Sequence, residues 1–150
     1  MKILYFLFLI PFFATAQTKK IDFFGTEFLV NNNCEVKQGQ LNSLKYGKNG
    51  LVWCDAPPEM VRNMLLGTLK DKIKEKKVTE LKNQDIKIKL LKQSWKGKLA
   101  QYQKENNDTI TTFVSLFADY KSKERLLVIV YQSTKKEKFR IPAYFDFLIK

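Results

Sequence analysis

A chain of 150 residues with 45% hydrophobic and 13% aromatic side chains has enough apolar surface to bury a core, which excludes a disordered or low-complexity protein. Its 27 Lys and Arg against 15 Asp and Glu leave a formal charge of +12, the balance of a protein that attracts polyanions. Histidine is absent, which removes the commonest general base, the usual Ser–His and Cys–His pairs, and the commonest nitrogen ligand of zinc.

In chain order, Lys2 precedes an uncharged apolar run from Ile3 to Phe13, and Ala14-Thr15-Ala16 has the small-x-small form of a cleavage site. Residues 1–16 therefore read as a signal peptide cut after Ala16, with Gln17 as the new N-terminus. Pro11 interrupts the run, and a spanning helix needs about 20 apolar residues. No cysteine follows the cut, so no lipid anchor is expected there. The destination is the periplasm or the exterior, and no transmembrane segment is expected in residues 17–150, which read as a single domain.

Phe23 to Val30 reads as a strand, with Gly25 a candidate bulge, and Asn31-Asn32-Asn33 as a turn. Glu35 to Tyr46 is a weaker extended stretch. Asn49-Gly50 suits a type I′ turn leading into Leu51-Val52-Trp53. Cys34 and Cys54 are the only cysteines. In an oxidising compartment they are expected to form a disulfide closing a loop of about 20 residues, worth about 3 kcal/mol in the chain-entropy model. Two buried free thiols are the alternative.

Asp55 to Glu59, with Pro57 and Pro58, looks like a helix start. Val61, Leu65, Leu69 and Ile73 then repeat every four residues, which predicts a long amphipathic helix of about 20 residues. The period next changes to two. Ile86, Ile88 and Leu90 alternate with Lys87 and Lys89. Leu99 to Lys104, Thr109 to Asp119 and Arg125 to Gln132 follow as strands joined by short turns, hence antiparallel neighbours. Ile141 to Ile149 predicts a short terminal helix with Pro142 in its first turn.

The expected fold is single-domain α+β: an antiparallel sheet with one long central amphipathic helix and a short C-terminal helix packed on it. This order of strands, helix, four strands and helix resembles the PsbP-like family of small α+β proteins, many of them exported accessory or assembly factors. The resemblance covers most of residues 17–150 and rests on element order. No family motif accompanies it, so it implies no functional residue.

Motifs for hydrolases, nucleotide binding, zinc proteases and EF-hands are absent, and no carboxylate pair can be placed on one face. Ser94 with Lys96, and Ser122 with Lys123, are the nearest thing to a Ser–Lys dyad. No cofactor or metal is expected. The feature that stands out is charge: between Lys70 and Lys98 lie eleven lysines and four acids. Lys87, Lys89, Trp95, Lys96, Lys98 and Tyr102 form the candidate binding patch, with Lys87 and Lys89 on one strand face and Trp95, Lys96 and Lys98 at the following turn, since aromatic rings beside lysines stack on sugars or bases while the charges hold acidic groups. Of the basic residues, 24 are Lys and only Arg62, Arg125 and Arg140 are Arg. Lysine lacks the fork that reads phosphates and bases bidentately, so sequence-specific nucleic-acid binding is not expected. The expected function is a non-enzymatic exported binding or accessory module whose partner is an acidic protein, glycan or anionic membrane surface. A small-ligand carrier and a carboxylate-dependent envelope hydrolase are the alternatives.

Overall fold

The computed structural model describes residues 18–57, 59–60, 63, 78–105, 107–121, 123–134 and 139–149. The predicted signal peptide lies outside the described residues, as does most of the stretch assigned to the central helix.

Among the described residues nine strands follow one another: β1 (Thr18–Phe23), β2 (Thr26–Asn31), β3 (Glu35–Lys37), β4 (Asn42–Tyr46), β5 (Asn49–Ala56), β6 (Val78–Leu90), β7 (Gln93–Lys104), β8 (Ile110–Tyr120) and β9 (Lys123–Ser133). A 3₁₀ helix, Ala143–Leu148, follows. The α+β expectation is corrected. Strands make up 69% of the described residues and helices 8%, and no described helix reaches seven residues. The described residues are nearly all β.

Strands β3 to β9 form one seven-stranded antiparallel sheet in the order β3-β4-β5-β9-β8-β7-β6, while β1 and β2 form a separate hairpin. The sheet is two meanders joined where β5 pairs with β9, with Trp53 opposite Leu127 and Cys54 opposite Leu126. Period-two alternation decides what each face carries. Leu51 and Trp53, Leu99, Val114 and Leu116, and Leu127 and Ile129 all point to the first face, where the main core forms. The β1–β2 hairpin and the 3₁₀ helix cover that face. Phe23 packs its ring 5.1 Å from Trp53 and 5.7 Å from Phe147, and Trp53 Nε1–H donates to the Asp22 carbonyl at 3.2 Å. Phe145 and Leu148 of that helix, which Pro142 N-caps, are fully buried in the main core.

Three local expectations also change. Phe23 to Val30 is not one strand: Phe24 and Gly25 both have positive φ (53° and 82°) and close a two-residue turn between Phe23 and Thr26. The second hairpin turns at Gly47-Lys48, because Tyr46 pairs with Asn49, whose Oδ1 accepts the Gln132 N–H. Finally, Cys34 and Cys54 are free thiols, both buried, and not a disulfide. The reason is the pleat of β5. Trp53 faces the main core, so Cys54 faces the other way, beside Leu126 and Ala56, while Cys34 joins the main core and donates from Sγ to the Asn31 carbonyl at 2.8 Å. The sheet itself stands between the two sulfurs.

Candidate functional site

The second sheet face carries apolar floor and lysine together. Cys54, Ala56 and Leu126 are buried here with Phe117 and Val128 against them, and Ala100 and Phe113 with Val130. Toward the β6 edge the character changes. Asp85, Lys87 and Lys89 on β6 share this face with Ser94, Lys96 and Lys98 on β7, since the register pairs Asp85 with Lys98, Lys87 with Lys96 and Lys89 with Ser94.

These residues border a groove of about 520 Å³. Lys87, Lys96 and Lys98 stand along it with Asp85, and Ser115 and Phe117 of β8 line its floor. Gly97 lets the floor form. A Cβ at this position would run into the Ser115 carbonyl oxygen and lie 2.9 Å from Leu116 Cα, so only glycine lets β7 come this close to β8.

The charge in the groove is one-sided. Lys98 Nζ pairs with Asp85 Oδ1 at 3.3 Å, but both side chains are largely solvent-exposed and the pair holds little energy. Lys87 and Lys96 are direct cross-strand neighbours, and neither has an ion-pair partner among the described residues. Like charges directly opposite one another destabilise a strand pair. Edge strands often carry lysine to prevent edge-to-edge association, and β6 is an edge. That function does not extend to Lys96 and Lys98, which sit on β7, an interior strand.

Of the residues expected to form the patch, Lys87, Lys89, Lys96 and Lys98 do share a surface, with Lys89 just beyond the groove. They lie within strands rather than at a turn, because β7 starts at Gln93. Trp95 is not with them. It is 1% exposed on the opposite face, where Nε1–H donates to the Leu90 carbonyl at 3.2 Å and the ring tilts 5.8 Å from Phe24. Tyr102 is on the lysine face but farther along β7, in a separate cavity of about 310 Å³. Burial raises its pKa, and the charge of Glu80 raises it further. The Cys54 thiol is likewise pushed up, by burial first and by Asp55 second, which keeps it protonated and a poor nucleophile.

Ser115 and Phe117 were missed because they sit in an apolar run, Thr109 to Asp119, in which both faces are buried. The signal was present: Thr111, Phe113, Ser115 and Phe117 occupy alternate positions, and the polar ones mark the less fully covered face. Among the described residues, no group of three or more Cys, Asp or Glu is placed to hold a metal ion, and no helix is long and apolar enough to cross a membrane.

No family model matches the chain, and no curated protein matches it. Among solved structures it is similar to PA94, a Pseudomonas aeruginosa protein of unknown function, with a TM-score of 0.35 and 12% identity over 75% of this chain and 81% of that one. A likeness so slight carries no argument about what this chain does.

Proposed function

We propose that this protein is an exported, non-enzymatic binding module that uses the lysine face of β6 and β7 to hold an acidic partner: an acidic protein, a glycan or an anionic membrane surface. The observation that carries this reading is the Lys87–Lys96 couple, which has no ion-pair partner among the described residues, beside Lys89 and Lys98. An anion seated between the two ammonium groups removes their mutual repulsion, so binding gains twice, by attraction and by relief. The missing histidine and the missing catalytic motifs support a binding function over an enzymatic one.

The test is direct. Polyglutamate, hyaluronate and phosphatidylglycerol vesicles are titrated into the protein at low and physiological salt. The variant Lys87→Glu/Lys89→Glu is compared with Lys37→Glu/Lys123→Glu, which changes the net charge equally elsewhere on the surface. Loss of binding in the first variant alone supports the proposal. Equal losses in both reduce the lysines to plain charge.

A second reading, a small-ligand carrier, draws on the groove itself. Its volume of about 520 Å³ falls in the range of small-molecule sites, and its floor includes Phe117. An apolar ligand retained through purification, and displaced only by detergent, would favour that reading.

A further inference from the structure

Strand β6 stands at one end of the sheet order and pairs only with β7 among the described residues. At 13 residues it is the longest described strand. A register shift between Glu80 and Lys82 interrupts its first part, and Leu90 closes it at the Leu91-Lys92 turn. Residues 83–89 run between these two features in unbroken register with β7, and most of them are exposed.

The register also says which backbone groups this edge presents. The two-residue turn makes Leu90 and Gln93 a hydrogen-bonded pair, and hydrogen-bonded and non-hydrogen-bonded pairs alternate from there along the ladder. Ile88 and Ile86 therefore direct their N–H and C=O groups to Trp95 and Gly97. Asp85, Lys87 and Lys89 direct theirs outward, away from β7. Such a row is a template for one more strand. A strand added here sets alternate side chains directly beside Lys87 and Lys89. Its other side chains lie beside Ile86 and Ile88, which are partly buried against the main core.

We propose that the β6 edge takes up an extended acidic peptide by strand addition, antiparallel like the rest of the sheet. Asp or Glu lies opposite Lys87 and Lys89, a neutral polar residue opposite Asp85, and β-branched apolar residues opposite Ile86 and Ile88. The proposal rests on the acidic-partner reading and names how that partner is held. Backbone hydrogen bonds supply the affinity, and the side chains supply the choice: lysines turn away a basic edge and admit an acidic one. Lys87 and Lys96 form a non-hydrogen-bonded pair, the kind with the closer side chains, so a carboxylate opposite Lys87 offsets a strong local repulsion. A second copy of this chain fits less well. It would bring together two chains of formal charge +12, and Asp85, the single acid of residues 83–89, is already paired with Lys98.

The experiment titrates the capped peptide Thr-Val-Glu-Val-Glu-Val-Thr into the purified protein, with amide hydrogen exchange read residue by residue. Two further forms carry the same charge. One is N-methylated at both Glu, whose N–H groups would face β6. The other is N-methylated at the Val after each Glu, whose N–H groups would face away. The parent and the Val-methylated peptide should bind alike, and the Glu-methylated form at least about tenfold more weakly. Bound peptide should slow exchange at Asp85, Lys87 and Lys89 and leave Ile86 and Ile88 unchanged. Asp85→Pro removes one outward N–H, which an edge strand tolerates, together with one negative charge. Plain charge attraction would then strengthen binding, whereas strand addition weakens it. Equal binding of the two methylated forms would overturn strand addition and leave the acidic-partner reading standing. No binding of any form, polyglutamate included, would overturn both. Slow exchange at the same three amides without peptide, growing with protein concentration, would assign the edge to a second copy and overturn the proposal.

Discussion

Lys87 and Lys96 face each other directly across the β6–β7 pair, and no described carboxylate bridges them. The arrangement costs stability in the free protein, so it separates two kinds of effect. Lys87→Glu places a carboxylate opposite Lys96 and is expected to raise stability by about 0.2–1 kcal/mol, read as a higher urea midpoint. The same substitution should weaken capture of an acidic partner. A variant that is both less stable and fully able to bind would contradict the account.

Arg125 fastens the β1–β2 hairpin to the sheet. Its guanidinium lies 3.5 Å from the Tyr120 ring centroid and 4.7 Å from that of Phe24. Nε–H donates to Asp55 Oδ1 at 3.3 Å, and the terminal nitrogens reach Gln93 Oε1 and the Phe24 carbonyl at 3.4 Å each. The side chain is only 13% exposed. Arg125→Lys keeps the charge but loses the planar fork and the stacking. It should cost about 2 kcal/mol by chemical denaturation, close to the loss in Arg125→Ala.

Gly97→Ala places a methyl group against the Ser115 carbonyl and Leu116 Cα, which are backbone and cannot rotate away. The expected loss is about 1–3 kcal/mol, the range for overpacking. Because Gly97 lies at the floor of the groove, ligand binding should weaken with it. A thermal melt of the variant checks the first part.

The β6–β7 turn holds Leu91 and Lys92 at φ of 49° and 62°, a type I′ conformation without glycine. Leu91 is tied down, since its N–H donates to the Leu148 carbonyl at 3.1 Å. Lys92 is exposed. Lys92→Gly relieves about 1–2 kcal/mol of left-handed strain and adds about 0.5–1 kcal/mol of backbone entropy cost. A small net gain of about 0.5 kcal/mol should appear as a higher melting temperature.

Stability should fall as the solution becomes alkaline. Burial lifts the Cys54 thiol above its usual 9.0, and lifts the Tyr46 and Tyr102 hydroxyls above 10.0. Above those ordinary values the unfolded chain releases protons that the folded chain still holds. It then binds fewer protons, and stability drops with rising pH. The contribution is intact below about pH 9 and is lost as pH rises through the raised folded values. Urea midpoints measured from neutral pH upward check this. The part of the decline that sets in first should be missing in Cys54→Ala, and the later part should be smaller in Tyr102→Phe.

Much of the C-terminal meander was legible because alternation is unambiguous there. Ile86, Ile88 and Leu90 against Lys87 and Lys89 define β6, and Pro142 marks the start of the last helix. Other features depended on tertiary context. Nothing local distinguishes Gly47-Lys48 from Asn49-Gly50 as the turn; Asn49 is drawn into β5 by its bond to Gln132. Leu91-Lys92 lacks the usual turn residues, so β7 read as starting later, at Leu99, and Trp95 as lying in a turn. Once β7 begins at Gln93, parity places Trp95 in the core and Lys96 and Lys98 outside. The cysteines followed the same logic. Compartment chemistry argued for pairing, but a one-residue offset from Trp53 sends Cys54 to the far side of the sheet. The Lys87–Lys96 couple required the register itself, which no single strand discloses.

The central claim is that the lysine face of β6 and β7 is a localised site rather than a share of the overall charge. The measurement that tests it most directly is the dissociation constant for polyglutamate as salt is raised, for the wild type, Lys87→Glu/Lys89→Glu and Lys37→Glu/Lys123→Glu. The account predicts at least a tenfold loss in the first variant and little change in the second. Equal weakening in both would contradict it.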